Sequence, residues 1–197
     1  MFITSDLHFY HKKIIEYCNR TYHLEEGNKE QNWKELQKMN EDILSEFDKL
    51  PTASTILNLG DLVVNSRLTF EDVKYLVDKM KTNNKHLWIV LGNHDRTLPR
   101  YLKSYDKNKS AVELFYELGF EIVFPEPIVI GNYTFSHEPV EDCDKNIIGH
   151  IHNTLLEDCG LNRSNYFNAC WDEQHKFVQI DEIEKYFYVE KFVKDYK

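Results

Sequence analysis

Five short blocks of the sequence carry side chains able to hold metal ions or move protons. They are Asp6-Leu7-His8, Gly60-Asp61, Gly92-Asn93-His94-Asp95, Ser136-His137 and Gly149-His150-Ile151-His152. Singly each is ordinary, because Asp-x-His decorates many surfaces and Gly-Asp is a common turn. Together they are not ordinary, since five of the nine histidines fall in these blocks, each behind an apolar run. The donors are carboxylate, imidazole and amide oxygen, with no thiolate. That set suits Mn, Fe, Zn or Ni rather than copper(I) or an iron–sulfur cluster. Seven candidate ligands exceed what one tetrahedral ion needs, so two divalent ions are the economical reading, with Mn²⁺ expected first.

Blocks so far apart need a scaffold that delivers them to one place. Met1-Phe2-Ile3-Thr4 reads as a strand ending at Ser5-Asp6, and Thr55 to Leu59 and Leu87 to Leu91 repeat the pattern ahead of the next two blocks. Alternation along a strand puts residues i and i+2 on one face, which lets Asp6 converge with His8 and His150 with His152. Gly60, Gly92 and Gly149 are expected to supply the sharp turns. A short helix is expected from Lys12 to Tyr17 and a polar loop over 21–30. Asn32 and Glu35 then form a capping-box start for Trp33, Leu36, Met39, Ile43, Phe47 and Leu50, which recur at helical spacing until Pro51. Further helices open at Thr69 with Asp72 and at Ser110 with Glu113, the latter ending at Gly119. Beyond Gly119 come short strands at 120–124, 128–130, 133–136, 146–149, 166–170 and 176–180. A last helix from Asp181 packs through Ile183, Phe187 and Val193. Alternating strands and helices followed by strands imply two packed sheets with helices outside, and ligands collect at the carboxyl ends of such strands.

The 197 residues suit a single domain over 1–197. With 42% apolar and 29% charged residues, wholesale disorder is excluded. A net charge of −9 and the lack of a Lys/Arg run argue against a dedicated duplex-DNA binder. No apolar run is long enough to span a bilayer, so no membrane partner is expected. Cys18, Cys143, Cys159 and Cys170 form no CxxC pair, which fits reduced thiols in a cytoplasmic protein rather than a zinc ribbon or a disulfide scaffold.

The order D-x-H, G-D, G-N-H-D, H, G-H-x-H resembles the calcineurin-like metallophosphoesterase superfamily, with all five blocks in sequence between residues 6 and 152. The stretch Asp6 to His11, Arg20, and Asn168-Ala169-Cys170-Trp171-Asp172 also resemble a small group of single-domain bacterial and phage members. The resemblance implies a four-layer α/β/β/α sandwich of two mixed sheets with flanking helices. It implies that Asp6, His8 and His152 hold one metal, that Asn93, His137 and His150 hold the second, and that Asp61 bridges them. His94 would face the leaving group, with Asp95 orienting its imidazole. Two cations roughly 3.5–4 Å apart neutralise a phosphate ester and lower the pKa of a bridging water to near 7. Leu62-Val63-Val64-Asn65 after Gly60-Asp61, and Leu91 before Gly92, depart from the protein Ser/Thr phosphatases, which carry arginines there.

His11, three residues past His8, is a candidate substrate contact. Arg20 and Arg96 are candidate phosphate clamps, because guanidinium matches phosphate oxygens bidentately. Trp33, Trp88 and Trp171 are read as packing, and His23, His86 and His175 as surface residues. The expected function is a dinuclear phosphoesterase working through a metal-bridging hydroxide on small phosphodiesters, or on monoesters or nucleotides. One rival is a nuclease on single-stranded or structured nucleic acid, which needs a basic approach surface. Another is a non-catalytic scaffold, which predicts lost motif residues, and none is missing. Chelation is therefore expected to abolish phosphoesterase activity and Mn²⁺ to restore it better than Mg²⁺. Undiminished turnover after prolonged dialysis against EDTA would defeat the metal reading.

Overall fold

The computed structural model describes residues 1–65 and 67–195, with side chains through Glu190; the expected packing position Val193 lies outside the described side chains. The elements follow as β1 (Phe2–Thr4), α1 (Lys12–Tyr17), α2 (Lys29–Asp48), β2 (Thr55–Asn58), α3 (Phe70–Met80), β3 (His86–Val90), α4 (Asn93–Tyr101) and α5 (Ala111–Leu118). Then come β4 (Ile122–Phe124), β5 (Ile128–Ile130), β6 (Tyr133–Ser136), β7 (Asn146–Ile148), β8 (Tyr166–Asn168), α6 (Trp171–Gln174), β9 (Val178–Gln179) and α7 (Ile180–Asp195).

The strands form two mixed sheets, ordered β4-β3-β2-β1-β9 and β5-β6-β7-β8. Within the first, β1 to β4 are parallel and β9 is antiparallel at the edge. Within the second, β6, β7 and β8 are parallel and β5 is antiparallel. Both faces of the first sheet are buried, which is why its strands read as unbroken apolar runs rather than alternating ones. Ile56, Leu87 and Ile89 face a core built with Leu36, Met39, Ile43 and Phe47 of α2, Val73, Leu76 and Val77 of α3, and Leu114, Phe115 and Leu118 of α5. Their neighbours Ile3, Leu57 and Val90 face the other way, onto Phe135, Ile147 and Phe167 of the second sheet. Helix α7 adds Ile183 and Phe187 to that inter-sheet layer, and Phe187 stacks on Tyr133.

The expected start of α2 is corrected. The helix opens at Lys29, where the Asn28 side chain accepts from the Gln31 N–H at 3.1 Å. Asn32 is buried instead, bonding both the N–H and the carbonyl of Glu25 at 2.8 Å and so tying down the preceding loop. Starting earlier does not rescue Trp33 as a packing residue. It is 43% exposed. Helices α4 and α6 are additions to the sequence reading; Pro99 inside α4 and the four-residue length of α6 hide both from a periodicity test.

Phe47 is fully buried where α2 meets the sheet and packs edge-on against Phe177, with ring centroids 4.5 Å apart. Phe47→Ala is expected to cost about 3–5 kcal/mol of stability, read as a lower urea midpoint at unchanged slope.

Candidate metal centre

Parallel pairing decides where the chemistry collects. Strands β1, β2 and β3 all end at one edge, and β6, β7 and β8 end at the matching edge of the second sheet. An isolated parallel bridge between Ser5 and Cys170 joins the two ends. Past the strands the backbone turns into the left-handed region at Asp6 (φ 55°), His8 (50°), Asp61 (54°), His150 (70°) and His152 (51°). Side-chained residues held there cost on the order of 1–3 kcal/mol each and persist where the surroundings over-determine them. The expected convergence by strand alternation is thereby corrected. β1 stops at Thr4, and Asp6 and His8 meet because both take this conformation.

The glycines divide in role. Gly60 turns the chain with φ 103°, whereas Gly92 and Gly149 make room. A Cβ on Gly92 would lie 2.3 Å from Asp61 Oδ1, and one on Gly149 would lie 2.0 Å from Ser5 Oγ and 2.6 Å from Asp6 Oδ2.

Two groups of donors result. In the deep one, Asp6 Oδ1 lies 3.6 Å from His8 Nε2 and 3.7 Å from His152 Nε2. In the other, His137 Nε2 lies 2.9 Å from Asn93 Oδ1 and 3.2 Å from His150 Nδ1. Asp61 Oδ2 stands between them, 3.7 Å from His8 Nε2 and 3.6 Å from His137 Nε2. Asp6 and His8 are buried, while Asn93 and His150 are exposed. His94 sits at the mouth with its ring edge-on to His8, at 5.6 Å between centroids.

A model of the calcineurin-like phosphoesterase family matches residues 1–195. The chain belongs to that family. The family is one of phosphoesterases that normally use divalent metal ions. No curated protein matches the sequence. Among solved structures, a nuclease of Pseudomonas putida, MPE, is similar over 76% of this chain at 20% identity and a TM-score of 0.44. The matched region spans 60% of that nuclease. No helix among the described residues is long and apolar enough to cross a membrane.

The arrangement expected of a phosphoesterase differs in three places. Asp95 does not orient the His94 ring. Its fully buried carboxylate accepts the backbone N–H groups of Asp61 (2.7 Å), Leu62 (3.1 Å) and Gly92 (3.0 Å), lacing the turn after β2 to the start of α4. Arg20 is not free to clamp phosphate. Its Nε and Nη2 bond the two Asp172 oxygens at 2.6 and 3.0 Å, and the rest of the fork bonds the carbonyls of Leu7 and Asp6. Arg96 points away, toward Glu126 and the Pro125 carbonyl. His11 does reach the site, with its Nδ1 3.0 Å from His8 Nδ1.

Asp172 is the residue of the candidate centre that the sequence reading left without a role, although it lies in the stretch Asn168 to Asp172. Its Oδ2 accepts from His152 Nδ1 at 2.8 Å. Likewise His137 Nδ1 donates to the Leu59 carbonyl at 2.8 Å, and His8 meets His11. Each of these three imidazoles thus has its far nitrogen held, which aims the near one inward. Cys170 stands behind Asp6, its thiol donating to Oδ2 at 3.2 Å, and burial raises the thiol pKa so that it stays a donor and not a ligand.

The residues fit divalent cations. Asp6 Oδ1 and His8 Nε2 are buried with no hydrogen-bond partner, a costly state for polar atoms unless something else satisfies them. His137, whose Nδ1 meets the Leu59 carbonyl, brings Nε2 to within 2.9 Å of Asn93 Oδ1 and 3.2 Å of His150 Nδ1, a gathering of donor atoms that a cation would tie together. Burial raises the Asp61 carboxyl to about 9, and the charges of Asp95 and Asp6 push it the same way. Burial opposes ionisation of Asp6 too, but the His8 imidazole beside it and the charges of His137 and His152 hold it well below the carboxylate range. Burial drives His8 down to about 4; His152, despite burial, is raised to about 10 by its bond to Asp172.

Asp172→Ala is expected to weaken metal affinity roughly 10–100-fold by freeing the His152 ring, measured by calorimetric titration of the apoprotein. Arg20→Gln should do the same more mildly while leaving KM nearly unchanged, unlike the loss of a phosphate clamp.

Proposed function

We propose that the protein is a two-metal phosphoesterase of phosphodiesters, with phosphomonoesters and nucleotides within reach of the same site. Asp6, His8 and His152 would hold one cation and Asn93, His137 and His150 the other, with Asp61 shared. The observation that carries this reading is the position of Asp61 Oδ2, 3.7 Å from one donor group and 3.6 Å from the other. A single tetrahedral ion has no use for a carboxylate oxygen facing two sets of imidazoles. When bound, the cations supply charge neutralisation for the phosphoryl oxygens and acidity for water. We assign Mn²⁺, with Fe, Zn and Ni also matched to these nitrogen and oxygen donors. Four free cysteines support a reducing, cytoplasmic setting.

The chain's own residues do the remainder. The His94 backbone N–H donates to Asp61 Oδ1 at 2.9 Å, which fixes the carboxylate with Oδ2 inward. Buried Asp6 and His8 close the deep side, so a phosphoester enters past Asn93, His150 and His94. The His94 side chain is 42% exposed with Nε2 3.9 Å from Asp61 Oδ2. From there it can hold a proton at Nε2 and pass it to the departing oxygen, a contribution of roughly 10²–10⁴-fold. Asp95 acts on that ring only through the backbone it anchors.

Asp61→Asn is expected to lower metal occupancy and activity together. His94→Asn should keep both metals, by elemental analysis, and lower kcat about 10²–10⁴-fold with a smaller change in KM. The loss should shrink for a nitrophenolate leaving group, which needs less protonation. Equal losses for good and poor leaving groups would remove His94 as the proton donor.

A further inference from the structure

Beside the centre lies a cavity of about 750 Å³, far more than a phosphoryl group fills. His11 forms its inner wall and so joins it to His8. Tyr10 and Trp33 line it as a stacked pair, with centroids 5.9 Å apart and planes at 20°. The Tyr10 backbone is pinned on both sides: its N–H donates to Asn40 Oδ1 at 3.1 Å and its carbonyl accepts from Asn65 Nδ2 at 3.2 Å. The aromatic platform is therefore built before any ligand arrives, and Trp33 still offers 43% of its surface.

The charged lining is mostly cationic. Lys12, Lys13, Lys29 and Arg67 stand around the cavity, and none forms an ion pair among the described residues. The acidic side chain there, Asp72, is committed to the cap of α3, where its Oδ2 accepts from the Thr69 N–H and hydroxyl at 2.8 Å. Four cations against the one Asp72 carboxylate leave this cavity's lining positive on a chain of net charge −9. A smaller cavity of about 260 Å³, reaching His94, Thr97 and Tyr101, shares the wall Val64-Asn65 with the large one. His11 and His94 face each other across the centre, with ring centroids 6.2 Å apart.

A planar π-surface beside unpaired cations matches a nucleobase and its phosphate. A sugar phosphate would leave the platform unused, and a lipid tail would meet lysines. We infer that this cavity binds a nucleotide unit of the substrate, its base on Trp33 and its phosphate among the lysines. The phosphoester cleaved at the centre then belongs to a nucleotide or a single-stranded nucleic acid, whose next unit enters the smaller cavity. Duplex is disfavoured, because its bases are already stacked. The cleavage half of this inference rests on the phosphoesterase reading; the binding half needs no metal.

The test separates the two. In excess EDTA, the folded protein is titrated with deoxythymidine monophosphate, a ten-residue oligothymidylate and a duplex of equal length, reading tryptophan fluorescence and the anisotropy of labelled oligonucleotide. Quenching by the single strand is expected, with affinity lowered roughly 5–150-fold in Trp33→Ala. The salt dependence should become shallower in Lys12→Gln/Lys29→Gln. Both substitutions are at exposed positions, and matching thermal melts establish that they fold. Saturation by the mononucleotide alone points to a free nucleotide, and tighter binding of the oligomer points to a strand. No binding, equal binding by Trp33→Ala, or a preference for duplex overturns the inference. Mn²⁺-dependent hydrolysis of bis(p-nitrophenyl) phosphate without oligonucleotide binding would leave the phosphoesterase reading intact and remove this one. Binding without any hydrolysis would do the reverse.

Discussion

The candidate centre answers to the difficulty of keeping Asp6 and Asp61 unsolvated beside four imidazoles. Burial alone would leave carboxylates charged at high cost or neutral and useless. The structure meets this with fixed partial charges: the His94 N–H on Asp61, the His150 N–H and the Cys170 thiol on Asp6. Asp6 Oδ1 is left without a hydrogen-bond partner, as is His8 Nε2, and those are atoms a divalent cation would claim. Left-handed backbone at five of the seven donors is the conformational cost of pointing them all at one small volume.

Much of this was legible in the sequence because strand ends are marked by composition. An apolar run that stops at Asp, Asn or His announces both the strand and its cargo, and the five blocks did so. The structure brings Asp6, His8 and His152 together on one side of Asp61, and Asn93, His137 and His150 on the other. What stayed hidden was pairing between distant residues. Arg20 is a plausible phosphate ligand by type, yet Asp172, 152 residues away, occupies it. Asp95 next to His94 looks like an orienting carboxylate, but at the third position of a helix it turns back to satisfy backbone donors. Trp33 fits a helical apolar stripe whose members Leu36, Met39, Ile43 and Phe47 are buried, but its own place in the buried face is taken by Asn32.

Charge was the least legible property. The sequence has no basic run, and the total is acidic. The positive patch exists because the starts of α1 and α2 and the loop after β2 meet in space. Counting residues along a chain averages over such a patch, whereas a ligand a few ångströms away feels only its nearest charges.

The bonds that complete the centre link opposite ends of the chain: His150 to Asp6 across 144 positions, and Arg20 to Asp172 across 152. Nothing local can stand in for them. During synthesis β1 to β4 can pair while β7, β8, α6 and the edge strand β9 are still inside the ribosome, leaving Asp6 without His150 and His152. Loop closure over such separations is also slow compared with helix formation. The candidate centre is thus completed last: a chain that stops before β7 holds Asp6, His8, Asp61, Asn93 and His137 and lacks His150, His152 and Asp172.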